Sequence, residues 1–67
     1  MDVTTDQAAK LLGVTRRSVQ MYVASGKLRY RRYGLRVVVI KLDDLRKFAI
    51  ENNRVFDESL AEQLGQN

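Results

Sequence analysis

Cysteine, histidine, proline and tryptophan are all missing from this 67-residue chain. Without cysteine there is no disulfide framework and no thiol nucleophile. With neither Cys nor His, a zinc site is not expected. The longest apolar run is Val37-Val38-Val39-Ile40, far short of the roughly 18 residues a membrane helix requires. The opening residues lack the basic-then-apolar pattern of a secretory leader, so a cytoplasmic protein is expected. Acidic residues are absent from 7–42. A chain of this length holds one small core and little scaffold for a pre-organised active site. No nucleophile–base pair stands out, so neither an enzyme nor a cofactor or small-molecule substrate is expected.

What is present is a globular composition, 45% apolar and 30% charged. The charge is segregated. Residues 7–42 carry nine basic groups: Lys10, Arg16, Arg17, Lys27, Arg29, Arg31, Arg32, Arg36 and Lys41. The remaining residues carry Arg46, Lys47 and Arg54 with all eight acids. A field of +9 thus meets one of −5, giving the net +4. That separation points to a polyanionic partner, nucleic acid first. Eight of the twelve basic residues are arginine, whose planar fork suits phosphate and guanine.

The local signals give mostly helix with one small β-hairpin. Thr4 and Gln7 form a capping box for a first helix, with Val3 and Ala8 placed as a hydrophobic staple. Ala8, Ala9, Leu11 and Leu12 make its apolar stripe, and Gly13 ends it. Thr15 caps a second helix, which turns Val19, Tyr22 and Val23 inward and closes at Ser25-Gly26. Residues 27–40 read as a hairpin turning near Tyr33-Gly34-Leu35. Its first strand is expected to put Leu28 and Tyr30 on one face, Arg29 and Arg31 on the other. Its second strand, apolar on both faces, is expected to be covered on two sides along part of its length. Asp43 or Asp44 is expected to cap a third helix with Leu45, Phe48 and Ala49 inward. An acidic tail, 54–67, either stays disordered or forms a short helix capped by Asp57, with Leu60, Ala61 and Leu64 as its apolar side. The expected division is a domain over 1–53 and this tail.

Two short helices joined by a glycine turn form a helix-turn-helix pattern. Small Ala9 stands four residues before Gly13, and apolar Val19 six after it. Thr15, Arg16, Arg17, Ser18, Gln20 and Met21 then crowd the outward start of the second helix. In a recognition helix that end enters the major groove. Arg and Gln there read guanine and adenine edges. Thr15, Ser18 and backbone N–H groups suit a phosphate, and Met21 a thymine methyl. Lys27, Arg29, Arg31, Arg32, Tyr33 and Arg36 surround the hairpin turn with no local acid, which suits a DNA backbone or minor groove.

The run from Thr4-Thr5-Asp6-Gln7-Ala8-Ala9-Lys10-Leu11-Leu12-Gly13-Val14-Thr15-Arg16-Arg17-Ser18-Val19, then Gly26-Lys27-Leu28, Gly34 and Asp43-Asp44-Leu45, resembles the excisionase-type DNA-binding domain. That family is winged helix-turn-helix and related to MerR-like regulators. The resemblance spans residues 3 to about 50. It implies a supporting helix, a recognition helix, a two-stranded wing and a closing helix. It implies DNA contact through Thr15, Arg16, Arg17 and Gln20, and through Arg31, Arg32 and Arg36 on the wing. Two departures are the uniformly apolar second wing strand and Leu42, where the family often has proline.

The expectation is therefore a winged helix-turn-helix protein that binds double-stranded DNA. It would act as an excisionase-like architectural factor, self-associating on DNA beside an integrase or recombinase. Neither a ligand-sensing domain nor a long dimerisation helix is expected. A small phage or mobile-element transcription regulator is the alternative. A protein-interaction module docking on a recombinase or packaging subunit is the reading of another class.

Overall fold

A computed structural model describes residues 1–35 and 37–65. The elements run β1 (Asp2–Thr4), α1 (Thr5–Leu12), α2 (Arg16–Ala24), β2 (Arg31–Tyr33), β3 (Val37–Lys41), α3 (Leu42–Glu51) and α4 (Glu58–Gly65). Together they are a winged helix-turn-helix. Local chemistry explains the first half. Thr4 Oγ1 accepts from the Gln7 N–H at 3.2 Å, and Gln7 Oε1 accepts from the Thr4 N–H at 2.9 Å, closing the capping box. At the other end of α1, Gly13 takes φ 65°. That left-handed turn lets the Gly13 and Val14 N–H groups donate to the Lys10 and Ala9 carbonyls, satisfying the helix end. Gly26 does the same for α2 at φ 79°, and Asn53 for α3 at φ 55°.

The sheet is three-stranded and antiparallel, in the order β1-β3-β2. β1 is an element the sequence signals missed. Val3 lies opposite Ile40, and both are buried in the core. This places β3 in the centre of the sheet, where Ile40 is buried, Val38 and Val39 are half-buried and Val37 is exposed. The expected first wing strand is also corrected. Only Arg31–Tyr33 pairs with β3. The N–H groups of Lys27 and Leu28 instead turn back to the Tyr22 carbonyl, at 3.0 and 3.3 Å. They satisfy the end of α2, so the chain reaches the sheet only after Tyr30. Leu28 is buried while Tyr30 is exposed, so the two do not share one strand face.

The core joins Val3, Ala8, Leu11, Leu12, Val19, Leu28, Ile40, Leu45, Phe48 and Ala49. Tyr22 packs on Phe48, ring centroids 5.0 Å apart. Asp43 and Asp44 do not cap α3 as expected. The helix starts earlier, at Leu42, because β3 runs straight into it, and the cap position falls to Lys41 with no side-chain bond. The two acids sit in the first turn, where they face the positive end of the helix dipole.

Beyond α3, the Asp57 N–H donates to the Leu11 carbonyl at 2.9 Å, and Asp57 Oδ1 accepts from the Leu60 N–H at 3.0 Å. Ala61 is buried in the same core, with Leu60 and Leu64 half-buried beside it. This packing supports a helix too short to stand alone. Arg46 ties it to α3. Its guanidinium donates to both Glu58 oxygens, at 2.9 and 3.3 Å, and lies over the Phe56 ring. The hydrogen bond and charge of Glu58 raise the Arg46 pKa above its ordinary value. The last two tail residues, Gln66 and Asn67, lie outside the described residues. Among the described residues no helix is long and apolar enough to cross a membrane.

Gly13 has free space around its Cα, so only its dihedral opposes a side chain. Gly13→Ala is expected to cost about 1 kcal/mol. In a domain of this size that lowers the melting temperature by roughly 4–8 °C. An unchanged thermal melt followed by circular dichroism would contradict the turn geometry.

Candidate nucleic-acid interface

The start of α2 breaks an electrostatic rule that the other helices obey. The first turns of α1, α3 and α4 carry Asp6, the Asp43/Asp44 pair and Glu58 respectively. The first turn of α2 has no acid, and holds Arg16 and Arg17 instead. Cations at a helix N-terminus oppose the dipole and destabilise the fold. Compensation is partial: Arg16 Nε lies 3.5 Å from Asp6 Oδ1, with both side chains more than 60% exposed. An ion pair that open to water contributes little. Arg17 has no acidic partner among the described residues.

Thr15 caps α2. Its Oγ1 accepts from the Ser18 N–H at 3.2 Å and lies 3.1 Å from the Ser18 hydroxyl. The two hydroxyls are therefore engaged with each other, while the side chains of Arg16, Arg17, Gln20 and Met21 are exposed. Val19 is fully buried and holds this helix against α1. Tyr22 is half-buried, with the Arg54 guanidinium 5.4 Å from its ring centre.

The sheet register sorts the wing residues onto two faces. Arg32 pairs with Val38, which shares the core-facing side of β3 with Ile40. Arg31 pairs with Val39 and Tyr33 with Val37, on the opposite side. Arg32 consequently points towards α2. It lines a cleft of about 250 Å³ together with Arg16, Gln20, Thr5, Tyr30 and Val38. The Arg32 guanidinium is 5.9 Å from the Tyr30 ring centre. Two parts of the chain that the sequence could only treat separately, the α2 face and the wing, thus meet in one groove.

The remaining predicted residues lie elsewhere. Arg29 and Arg31 line a hollow on the outer side of the wing with Tyr30, Lys41 and Asp44. Lys27 lines another, between the 26–29 link and α3, with Lys47 and Glu51. Tyr33 is half-exposed on the outer face of β2. Arg36 lies outside the described residues. Tyr30, Lys41 and Asp6 complete these surfaces but were not singled out from the sequence. Lys41 stands two places beyond Val39 and so on the Arg31 face, a placement that the β2–β3 register reveals.

A family model described as a helix-turn-helix domain, a DNA-binding family, matches residues 3–53. No curated protein and no solved structure matches the chain.

The unfavourable charge at the start of α2 can be tested without a ligand. Arg17→Glu is expected to stabilise the folded protein by about 0.5–1 kcal/mol, since it exchanges repulsion with the dipole for attraction. A urea titration checks this; a lower midpoint than the parent would contradict it.

Proposed function

The chain belongs to the helix-turn-helix domain family and binds double-stranded DNA, and we propose that it does so as an excisionase-like architectural factor. In this reading α2 lies in the major groove. Arg16, Arg17 and Gln20 contact base edges, Met21 meets a thymine methyl, and Thr15 and Ser18 lie against a phosphate. Lys27, Arg29, Arg31, Arg32, Tyr33 and Arg36 serve the backbone and the minor groove. The DNA-contacting unit is residues 1–53, and the acidic segment 54–67 is left for protein contacts.

The observation that carries this reading is the pair of arginines at the start of α2. They weaken the helix they sit on, so their use must lie outside the fold. That Arg16 and Arg32 line one cleft adds support, because among the described residues no acid lines it beside these two positive charges. The architectural role follows from size. One recognition helix reads few base pairs, so useful selectivity requires several copies on adjacent sites or a DNA-bound partner such as an integrase. A small phage or mobile-element transcription regulator would use the same surface and differ only in its partner.

The deciding experiment is selection from a random duplex pool, followed by sequencing of the bound fraction. Closely spaced repeats of a short motif are expected. A bound pool without an enriched motif would contradict base reading by α2. Replacing Arg16 and Arg17 together by Gln is expected to weaken binding to the selected duplex by a few kcal/mol, about 1–3 for each lost base contact. Its binding to unrelated duplex should change much less. A protein-interaction module would instead keep its affinity for its protein partner in that variant.

Salt supplies an independent check. If about six phosphates are contacted, affinity should fall roughly a thousandfold between about 50 and 200 mM salt. Fluorescence anisotropy measures it, and a flat response would contradict the electrostatic basis of binding.

A further inference from the structure

We propose, resting on the duplex-binding reading above, that Asp6 is a specificity-determining residue. Its carboxylate positions the Arg16 guanidinium so that the outer nitrogens of the fork are presented to a guanine. Asp6 itself touches no base. It acts from the supporting helix, through Arg16.

Phosphates repel a carboxylate, so an acid beside the base-reading residues weakens binding to every duplex. Asp6 nevertheless follows Thr5, which lines the cleft shared by Arg16, Gln20 and Arg32, and its Oδ1 lies 3.5 Å from Arg16 Nε. An acid in the first turn of α1 does favour that helix through its dipole. That effect requires only a carboxylate in the turn, not one directed at a side chain of α2. Nor does the pair add much to the free fold, since both side chains are more than 60% exposed. Bound DNA changes this balance. A duplex lying on α2 displaces water from Arg16, and the attraction strengthens as the local dielectric falls. The ion pair therefore acts most strongly at the moment the base contact is made.

The atoms suit the role. Arginine carries its N–H donors in a rigid planar fork. The carboxylate comes closest to Nε, the inner nitrogen. Nη1 and Nη2 extend beyond it, and such a pair matches the O6 and N7 acceptors of guanine. Asp6 and Arg16 each sit in the first turn of their helix, and fully buried Val19 fixes one helix against the other. The anchor is thus as rigid as the helix-turn-helix itself. An arginine held in this way loses less rotamer freedom on binding than an unrestrained one. Arg17 supplies the contrast: it is exposed in the same turn, and among the described residues no acid lies within salt-bridge distance of it.

The test uses the full chain and the duplex selected from the random pool. Arg16→Gln first identifies the base pair that Arg16 reads, as the position whose preference relaxes. Asp6→Asn is then compared with the parent on the selected duplex, on its single-base variants and on unrelated duplex. A circular dichroism melt checks that the variant folds. Binding to unrelated duplex should not weaken, since a repelling charge is gone. Discrimination at the Arg16 position should fall roughly three- to tenfold, because only the matching base requires the arginine to be ordered. The position relaxed by Arg17→Gln should keep its preference. In an Arg16→Gln background, Asp6→Asn should leave base preference unchanged. Asp44→Asn, which removes a first-turn acid from α3 instead, should relax no position.

A folded Asp6→Asn variant that keeps full discrimination at the Arg16 position overturns the proposal. So does one that relaxes every position equally, as a general loosening of the helix-turn-helix would. The reading beneath it fails differently: in that case the parent itself selects no motif, and Arg16→Gln relaxes no position.

Discussion

The contact between Val3 and Ile40 fixes where everything else in this protein can be. Both side chains are buried, and they face each other across the β1–β3 ladder. Because β1 runs directly into α1, this pair sets the helix-turn-helix unit against the sheet. Because β3 is also the inner strand of the wing and leads directly into α3, the same pair sets the wing and the closing helix. A chain this small buries few large side chains, and six of them carry the fully buried core: Leu11, Leu28, Ile40, Leu45, Val3 and Val19. They come from β1, α1, α2, the following link, β3 and α3. The core is therefore a single junction through which the elements locate each other.

Stability and function pull apart on α2. Val19 holds its inner side, and Thr15 and Gly26 close its ends by the usual means. The outer side departs from that pattern. Two arginines occupy the turn where the other helices carry acids, and a half-exposed Tyr30 stands below Arg32. Unfavourable charge at the start of one helix, on an exposed face, indicates that the surface answers to a requirement outside the fold. The acids themselves are not scarce. They collect on α3 and α4, where Asp43 and Glu58 both reach Arg46. The arrangement leaves the recognition helix and wing as a cationic surface, with Asp6 beside Arg16 and with Asp44 and Glu51 lining the hollows near the wing and the 26–29 link.

Features governed by neighbours in sequence could be read before any coordinates. The Thr4–Gln7 capping box, the Gly13 turn, the Thr15 cap and the inward Val19 each depend on residues within a few positions. Three features could not be read. β1 offers a single buried residue, Val3, and one apolar position has no periodicity; only its partner, 37 positions away, makes it a strand. Residues 27–30 have the composition of a strand, but their N–H groups are taken by the end of α2. The start of α3 follows from β3 meeting it without a turn, so Asp43 and Asp44 lost the capping role that their chemistry suits. At the interface, the exposure of Arg16 and Gln20 on one helical face followed from their spacing. Their meeting with Arg32 did not, since it depends on which face of β2 each arginine leaves.

That last dependence connects the core to the binding surface. Side chains alternate along a strand, so a one-residue slip of β2 against β3 would exchange the faces of Arg31 and Arg32. β2 itself has no buried residue to resist a slip, for all three of its side chains are exposed. The restraint comes from its two ends. On one side, Leu28 is anchored in the core only three positions before Arg31. On the other, Gly34 takes a left-handed φ of 67° in the turn that returns the chain to β3, whose own facing is set by Ile40 against Val3. The positions of the wing arginines are thus determined by apolar residues that touch no ligand. A substitution at Leu28 or Ile40 would reach the interface by misdirecting its charges, even if the domain stayed folded.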